Sequence, residues 1–186
     1  NWGITIISCY FITTILFCIG ISIAPAPVVL LCIATIPIFA AVFGHKILNE
    51  PASKSTWITI ILVIIGISIA IFGANTQEIN FDILIILGAL CGLGSSLTIS
   101  LSYIIIRQKK ELPFVLPMGI GVFFSGVTGL FITGYQNMMT GNTLPIIATG
   151  IFILPIPMYL LSSAPKFTRA TNVSLILLLE TVLGPL

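Results

Sequence analysis

Residues 36–69, IPIFAAVFGHKILNEPASKSTWITIILVIIGISI, hold two long apolar runs joined by one short polar break. The first run ends at His45 and Lys46, the break adds Glu50 and Lys54, and the second run opens at Trp57. The same alternation runs through the whole chain. Of its 186 residues 58% are hydrophobic and only 6% are charged, whereas soluble domains carry about 25% charged residues. Water cannot solvate such a surface, so bilayer must cover most of it. This excludes a cytosolic enzyme, a nucleic-acid binder and a secreted disulfide scaffold. The net charge of +2 is too small to imply an anionic partner. At about 20 residues per span, the length allows at most seven or eight crossings.

Polar and Gly/Pro-containing breaks divide the sequence into seven apolar segments, at 3–23, 27–44, 57–74, 83–106, 114–134, 145–161 and 171–186. Pro25 and Pro27 prevent a continuous helix between the first two. Pro37 predicts a kink near the middle of the second, and Pro155 and Pro157 predict a break in the sixth. The chain begins at Asn1, apolar almost at once, and stops at Leu186 inside an apolar run; a piece of a longer protein is expected. Cys9, Cys18, Cys32 and Cys91 all lie in apolar stretches without a C-x-x-C pair or a nearby His. They read as small apolar residues rather than metal or redox ligands.

Charge then orients the segments. Lys46 and Lys54 follow the second segment, Arg107, Lys109 and Lys110 the fourth, and Lys166 and Arg169 the sixth. The alternate connections carry no Lys or Arg. All seven basic residues therefore fall on one side if the chain crosses at each segment, and the positive-inside rule assigns loops 45–54, 107–111 and 166–169 to the cytoplasm. An internal repeat follows. Segment 2 and segment 7 align without gaps, Ala26 on Ala170, Val29 on Val173, Leu31 on Leu175 and Pro37 on Thr181, at an offset of 144 residues. One is entered from the uncharged side and the other from the basic side, so the copies have opposite topology. Inverted repeats of this kind are found in secondary transporters.

Pro37, Gly44, Glu50, Trp57 and Gly66 occur in an order that resembles the EamA-type half of the drug/metabolite transporter superfamily. The run SSAPKFTRATNVSLILLLETVLGPL at 162–186 is similar to the matching part of the second half, with Thr181 where the family usually has Pro after Glu. The resemblance implies an all-α polytopic membrane protein with seven transmembrane helices present, part of a 5+5 inverted-repeat bundle. The chain would be spans three to nine of ten. Residues 1–74 would be the remainder of the first repeat (three spans), and 83–186 the truncated second repeat (four spans). It also implies the bacterial inner membrane.

Glu180 is the one acid in the middle of an apolar segment. It lies about 16 Å of helical rise past Arg169, near the bilayer centre. A carboxylate there must be paired, hydrated or protonated. It either faces a polar cavity, binding a cationic group or a proton, or ties helices together as a protonated, hydrogen-bonded acid. Asn172 shares its face at i, i+8. Ser174 either lines the path or bonds back to its own helix. In segment 4, Ser95, Thr98 and Ser102 share a face that either lines a pathway or hydrogen-bonds to a neighbour, and Gly88 and Gly92 make a small-xxx-small pair for close helix contact. Tyr10, too deep for an interfacial belt, either reaches a substrate or caps a buried carbonyl. The candidate substrate-binding residues are thus Glu180, Asn172, Ser174, Tyr10, Ser95 and Thr98. The glycines of segment 5, Gly119, Gly121, Gly126 and Gly129, read as packing residues. Glu50 pairs with Lys46 at i, i+4 or caps the entry to segment 3.

These readings converge on a secondary transporter that moves small polar metabolites by alternating access. The resemblance adds amino acids and related compounds, often exported. The expected partners are the small-molecule substrate, the lipid bilayer and protons, with no nucleic acid. No cofactor, catalytic residue or metal site is expected, and no phosphate-binding G-x-x-x-x-G-K is present for ATP-driven transport. An intramembrane enzyme would need clustered Asp, His or Ser/Lys groups. The alternative is a channel or a structural membrane subunit; a channel calls for a repeated polar stripe, which segment 4 alone approaches.

Overall fold

A computed structural model describes residues 2–50, 54, 57–58, 60–62, 65, 83–109, 111, 113–133, 148–150 and 155–183, and the side chains of the last helix as far as 177. Among the described residues the regular structure is helical. Four stretches are long and apolar enough to cross a membrane, namely Trp2–Ile23, Ala26–Leu48, Ile83–Gln108 and Val115–Ile132. At 1.5 Å per residue the shortest spans about 27 Å and the longest about 39 Å, against a hydrocarbon core of about 30 Å.

Helix α1 (Trp2–Ile23) ends where Ala24 donates its N–H to the Gly20 carbonyl at 3.0 Å. Pro25, with φ −55° and ψ 132°, then turns the chain, and α2 (Ala26–Ile33) begins with Pro27 in its first turn, where a missing N–H costs nothing. The second span does not continue smoothly. It breaks at Ala34–Thr35 and resumes as α3 (Ile36–Leu48), with Pro37 in the first turn of the new helix. The break therefore lies just ahead of Pro37, because the proline ring displaces the carbonyl one turn upstream and cannot bond to it. Thr35 holds the break by donating its hydroxyl to the Cys32 carbonyl at 2.6 Å. Helix α3 closes on Asn49 in the left-handed conformation, φ 53°, and the Glu50 N–H returns to the Gly44 carbonyl at 3.0 Å.

Helix α4 (Ile83–Gln108) is the axis of the described bundle, with α1, α2 and α3 packed along it and α5 (Val115–Thr133) against α1. Between lipid-immersed helices no hydrophobic force drives association, so close approach and hydrogen bonds must hold them. Gly88 meets Ala24 and the Gly20 carbonyl, and Gly92 meets Cys32 and Val29, so closely that a Cβ at either position would collide. This is the contact that the small-xxx-small pair implies. In α5 only Gly121 approaches a neighbour, the Ile7 carbonyl of α1; Gly119, Gly126 and Gly129 have no described atom within 4 Å of an added Cβ. Among the described residues the packing reading of the α5 glycines is met by Gly121.

The chain returns through α6 (Pro155–Ser163), which starts at the proline expected to break segment 6, then a 3-10 turn (Ala164–Lys166) and α7 (Ala170–Leu183). One core cluster joins Ile36 and Ala40 of α3, Tyr103 and Ile104 of α4, and Ala170 and Val173 of α7. A second joins Ile6 and Tyr10 of α1 with Ile105, Ile106 and Phe114. The two segments that align by sequence, 2 and 7, thus lie against each other through α3 and α7. Most of segment 3, the first part of segment 6 and the end of segment 7 lie outside the described residues.

Candidate functional site

The middle of α4 carries a run of hydroxyls, LTISLS at 97–102, set between two partners. Towards α1, Thr98 Oγ1 lies 2.6 Å from Thr13 Oγ1 and 3.0 Å from the Gly94 carbonyl. A carbonyl can only accept, so Thr98 donates to Gly94 and Thr13 donates to Thr98. Ser95 Oγ donates to the Cys91 carbonyl at 2.9 Å, with the Thr13 carbonyl at 3.3 Å. Towards the broken span, Ser96 Oγ stands 3.1 Å from Thr35 Oγ1, and Ser100 Oγ lies 2.6 Å from the Ser96 carbonyl and 3.0 Å from that of Ile36. Hydroxyls of α4 thus bond on two faces, and one face meets the place where the second span is interrupted.

The other candidate residues are placed as follows. Tyr10 is buried, and its hydroxyl meets Ser162 Oγ of α6 at 2.9 Å. Ser174 is fully buried and donates into its own helix, within 2.9 Å of the Thr171 carbonyl and 3.1 Å of Ala170. Asn172 is exposed and borders a narrow cleft with Ala40, Gly44, Leu48 and Glu50 of the second span, Ile104 of α4, and Arg169, Ala170 and Thr171. The cleft has room for about one water molecule. Glu180 belongs to α7, but its side chain lies outside the described residues. The structure brings Ser95 and Thr98 together at Thr13 of α1, turns Tyr10 to Ser162 of α6, and leaves Asn172 at the end of the bundle.

At that end the three basic connections meet. Arg107 Nη2 donates to Glu50 Oε1 at 3.0 Å, and Nη1 reaches the Lys166 carbonyl at 3.4 Å. Lys166 Nζ stands 4.6 Å from the centre of the Phe114 ring, and Lys109 Nζ 5.9 Å from that of Trp2. Glu50 therefore pairs across 57 residues and not with Lys46 in the adjacent turn. Sequence spacing could not find this partner, nor Ser162 for Tyr10, because neither pair is local. What was legible was that the basic connections would gather at one end.

Residues 1–72 match the EamA-like transporter family. No curated protein and no solved structure matches the chain. The matched residues include α1, the broken span with Pro37, the left-handed exit before Glu50, and Trp57. The chain thus carries, over residues 1–72, a segment similar to the EamA-like transporter family, and its long apolar helices are those of an integral membrane protein.

Proposed function

We propose that the protein is a secondary transporter that moves small polar metabolites, amino acids or related compounds, by alternating access. The observation that carries this reading is the EamA match over residues 1–72. The interrupted second span supports it, because transporters place broken helices, with their freed backbone groups, at the midplane where solute binds. Here the break has three hydroxyls beside it, from Thr35, Ser96 and Ser100. Glu180 belongs to α7, the helix that packs on α3, and would complete the site from the other repeat, with Asn172 of the same helix lining the basic end of the path. Glu180 would bind a cationic group of the solute or the coupling proton. Tyr10, Ser95, Thr98 and Ser174 would shape the path from α1, α4 and α7. We place loops 45–54, 107–111 and 166–169 in the cytoplasm of a bacterial cell.

Counterflow in proteoliposomes tests this, with the full-length protein and its Glu180→Gln variant loaded with pools of unlabelled amino acids and metabolites. Saturable exchange by the parent, lost in the variant, is the expected result. If the variant exchanges normally but no longer responds to a pH gradient, Glu180 carries the proton and solute binds elsewhere. Linear, unsaturable flux would replace the carrier by a channel, and the absence of flux from every pool would leave a structural membrane subunit.

A further inference from the structure

Arg107 ends α4 and reaches two other segments at once, Glu50 through Nη2 and the Lys166 carbonyl through Nη1. Both targets are held firmly. Glu50 follows the left-handed turn at Asn49, and its own N–H is bonded to the Gly44 carbonyl. Lys166 closes the 3-10 turn that leads into α7, with its ammonium over the Phe114 ring. One guanidinium therefore joins the exit of the broken span, the end of α4 and the entry to α7. The Arg107 and Glu50 side chains are 16% and 31% exposed. That is enough shielding to strengthen the pair over a fully solvated one, and enough water to let it part.

Glu50 also forms one wall of the narrow cleft, facing Arg169, Thr171 and Asn172 across it. The walls belong to different segments. Gly44, Leu48 and Glu50 come from the EamA-matched part, and Arg169 to Asn172 from beyond it. Widening the cleft would separate these two parts, and Arg107 ties Glu50 of one to the Lys166 carbonyl of the other. We propose that the Glu50–Arg107 pair is a latch that closes the cleft at the basic end of the bundle, and that it opens when solute passes there. This inference rests on the reading of the protein as an alternating-access carrier.

The test uses the full-length protein with Thr171→Cys, which sets a thiol in the cleft wall, and an impermeant maleimide applied from the basic side. The parent without the added cysteine supplies the background. Thr171→Cys alone should label slowly. Adding Glu50→Gln or Arg107→Gln should speed labelling about fivefold, the shift expected from losing a partly shielded ion pair. The exchanged pair Glu50→Arg/Arg107→Glu should return it to the slow rate. Unchanged labelling in both single variants would overturn the latch, as would an exchanged pair that labels as fast as they do. A second measurement covers variants that fail to fold. Glu50→Cys/Arg107→Cys, joined by a short reducible thiol cross-linker, should lose counterflow and regain it on reduction; full exchange while cross-linked would overturn the proposal. A parent without counterflow would sink the carrier reading, while the labelling arm would still decide whether the pair closes the cleft.

Discussion

Tyr10 spends its hydroxyl on Ser162 of α6, a residue 152 positions away. Hydrogen bonds between membrane helices average about 0.6 kcal/mol and reach about 1.7 kcal/mol, because a released partner finds another bond in its own helix. Tyr10→Phe should therefore lower stability by roughly 0.6 kcal/mol, read as a small drop in the thermal unfolding midpoint in detergent; a loss beyond about 2 kcal/mol would mean that more than this bond is at stake. The glycines give a sharper contrast. Gly88→Ala gains up to about 1 kcal/mol of helix propensity but drives its methyl into Ala24, and overpacking costs about 1–3 kcal/mol, so the variant should unfold at lower temperature. Gly126→Ala meets no described atom and should unfold at slightly higher temperature. The Gly88–Gly92 spacing was legible in the sequence because a four-residue period puts both on one face. That Gly121 meets α1 while Gly126 meets no described atom was illegible, since nothing in the local sequence says which face of α5 meets α1.

Helix boundaries were the most legible feature at the next scale. Segments read as 3–23, 83–106 and 114–134 appear as Trp2–Ile23, Ile83–Gln108 and Val115–Thr133, because apolar length and breakers alone set them. The second span shows what such reading misses. Proline announces a distortion, but where the helix lets go depends on which neighbours meet the backbone there, and Thr35 donates to the Cys32 carbonyl while Ser100 donates to that of Ile36 from 64 residues away. Replacing Pro37 by Ala restores an N–H that can bond upstream, and proline disfavours helix by about 3 kcal/mol relative to Ala. Amide exchange around residues 34–38 should slow by at least about tenfold in Pro37→Ala. Exchange as fast as in the parent would assign the break to the hydroxyls of α4. The alignment of segments 2 and 7 belongs to this scale too. Alignment paired segment 2 with segment 7, and α3 does pack on α7, a contact that sequence similarity by itself does not entail.

For the whole molecule, the convergence of Glu50, Arg107 and Lys166 gathers all three basic connections at one end of the bundle. An impermeant reagent should reach single cysteines placed at 46, 109 and 166 from one face of the membrane only; labelling of any of them from the opposite face would break the segmentation. That gathering at one end was readable from loop charge, whereas the ion pair was not, because charge bias says where lysines and arginines gather and nothing of which carboxylate waits for them. The long helix α4 is gripped differently along its length. Glycines near Gly88 are held by shape, the middle by hydroxyls, and the last turn by a charge pair near water. Dissolved ions weaken only the last of these, since screening shortens from about 10 Å at 0.1 M to about 3 Å at 1 M salt. A bilayer separates two solutions, so the ionic strength of one compartment should loosen the basic end while that of the other leaves the glycine contacts untouched. The molecule would then feel salt from one side and be deaf to it from the other.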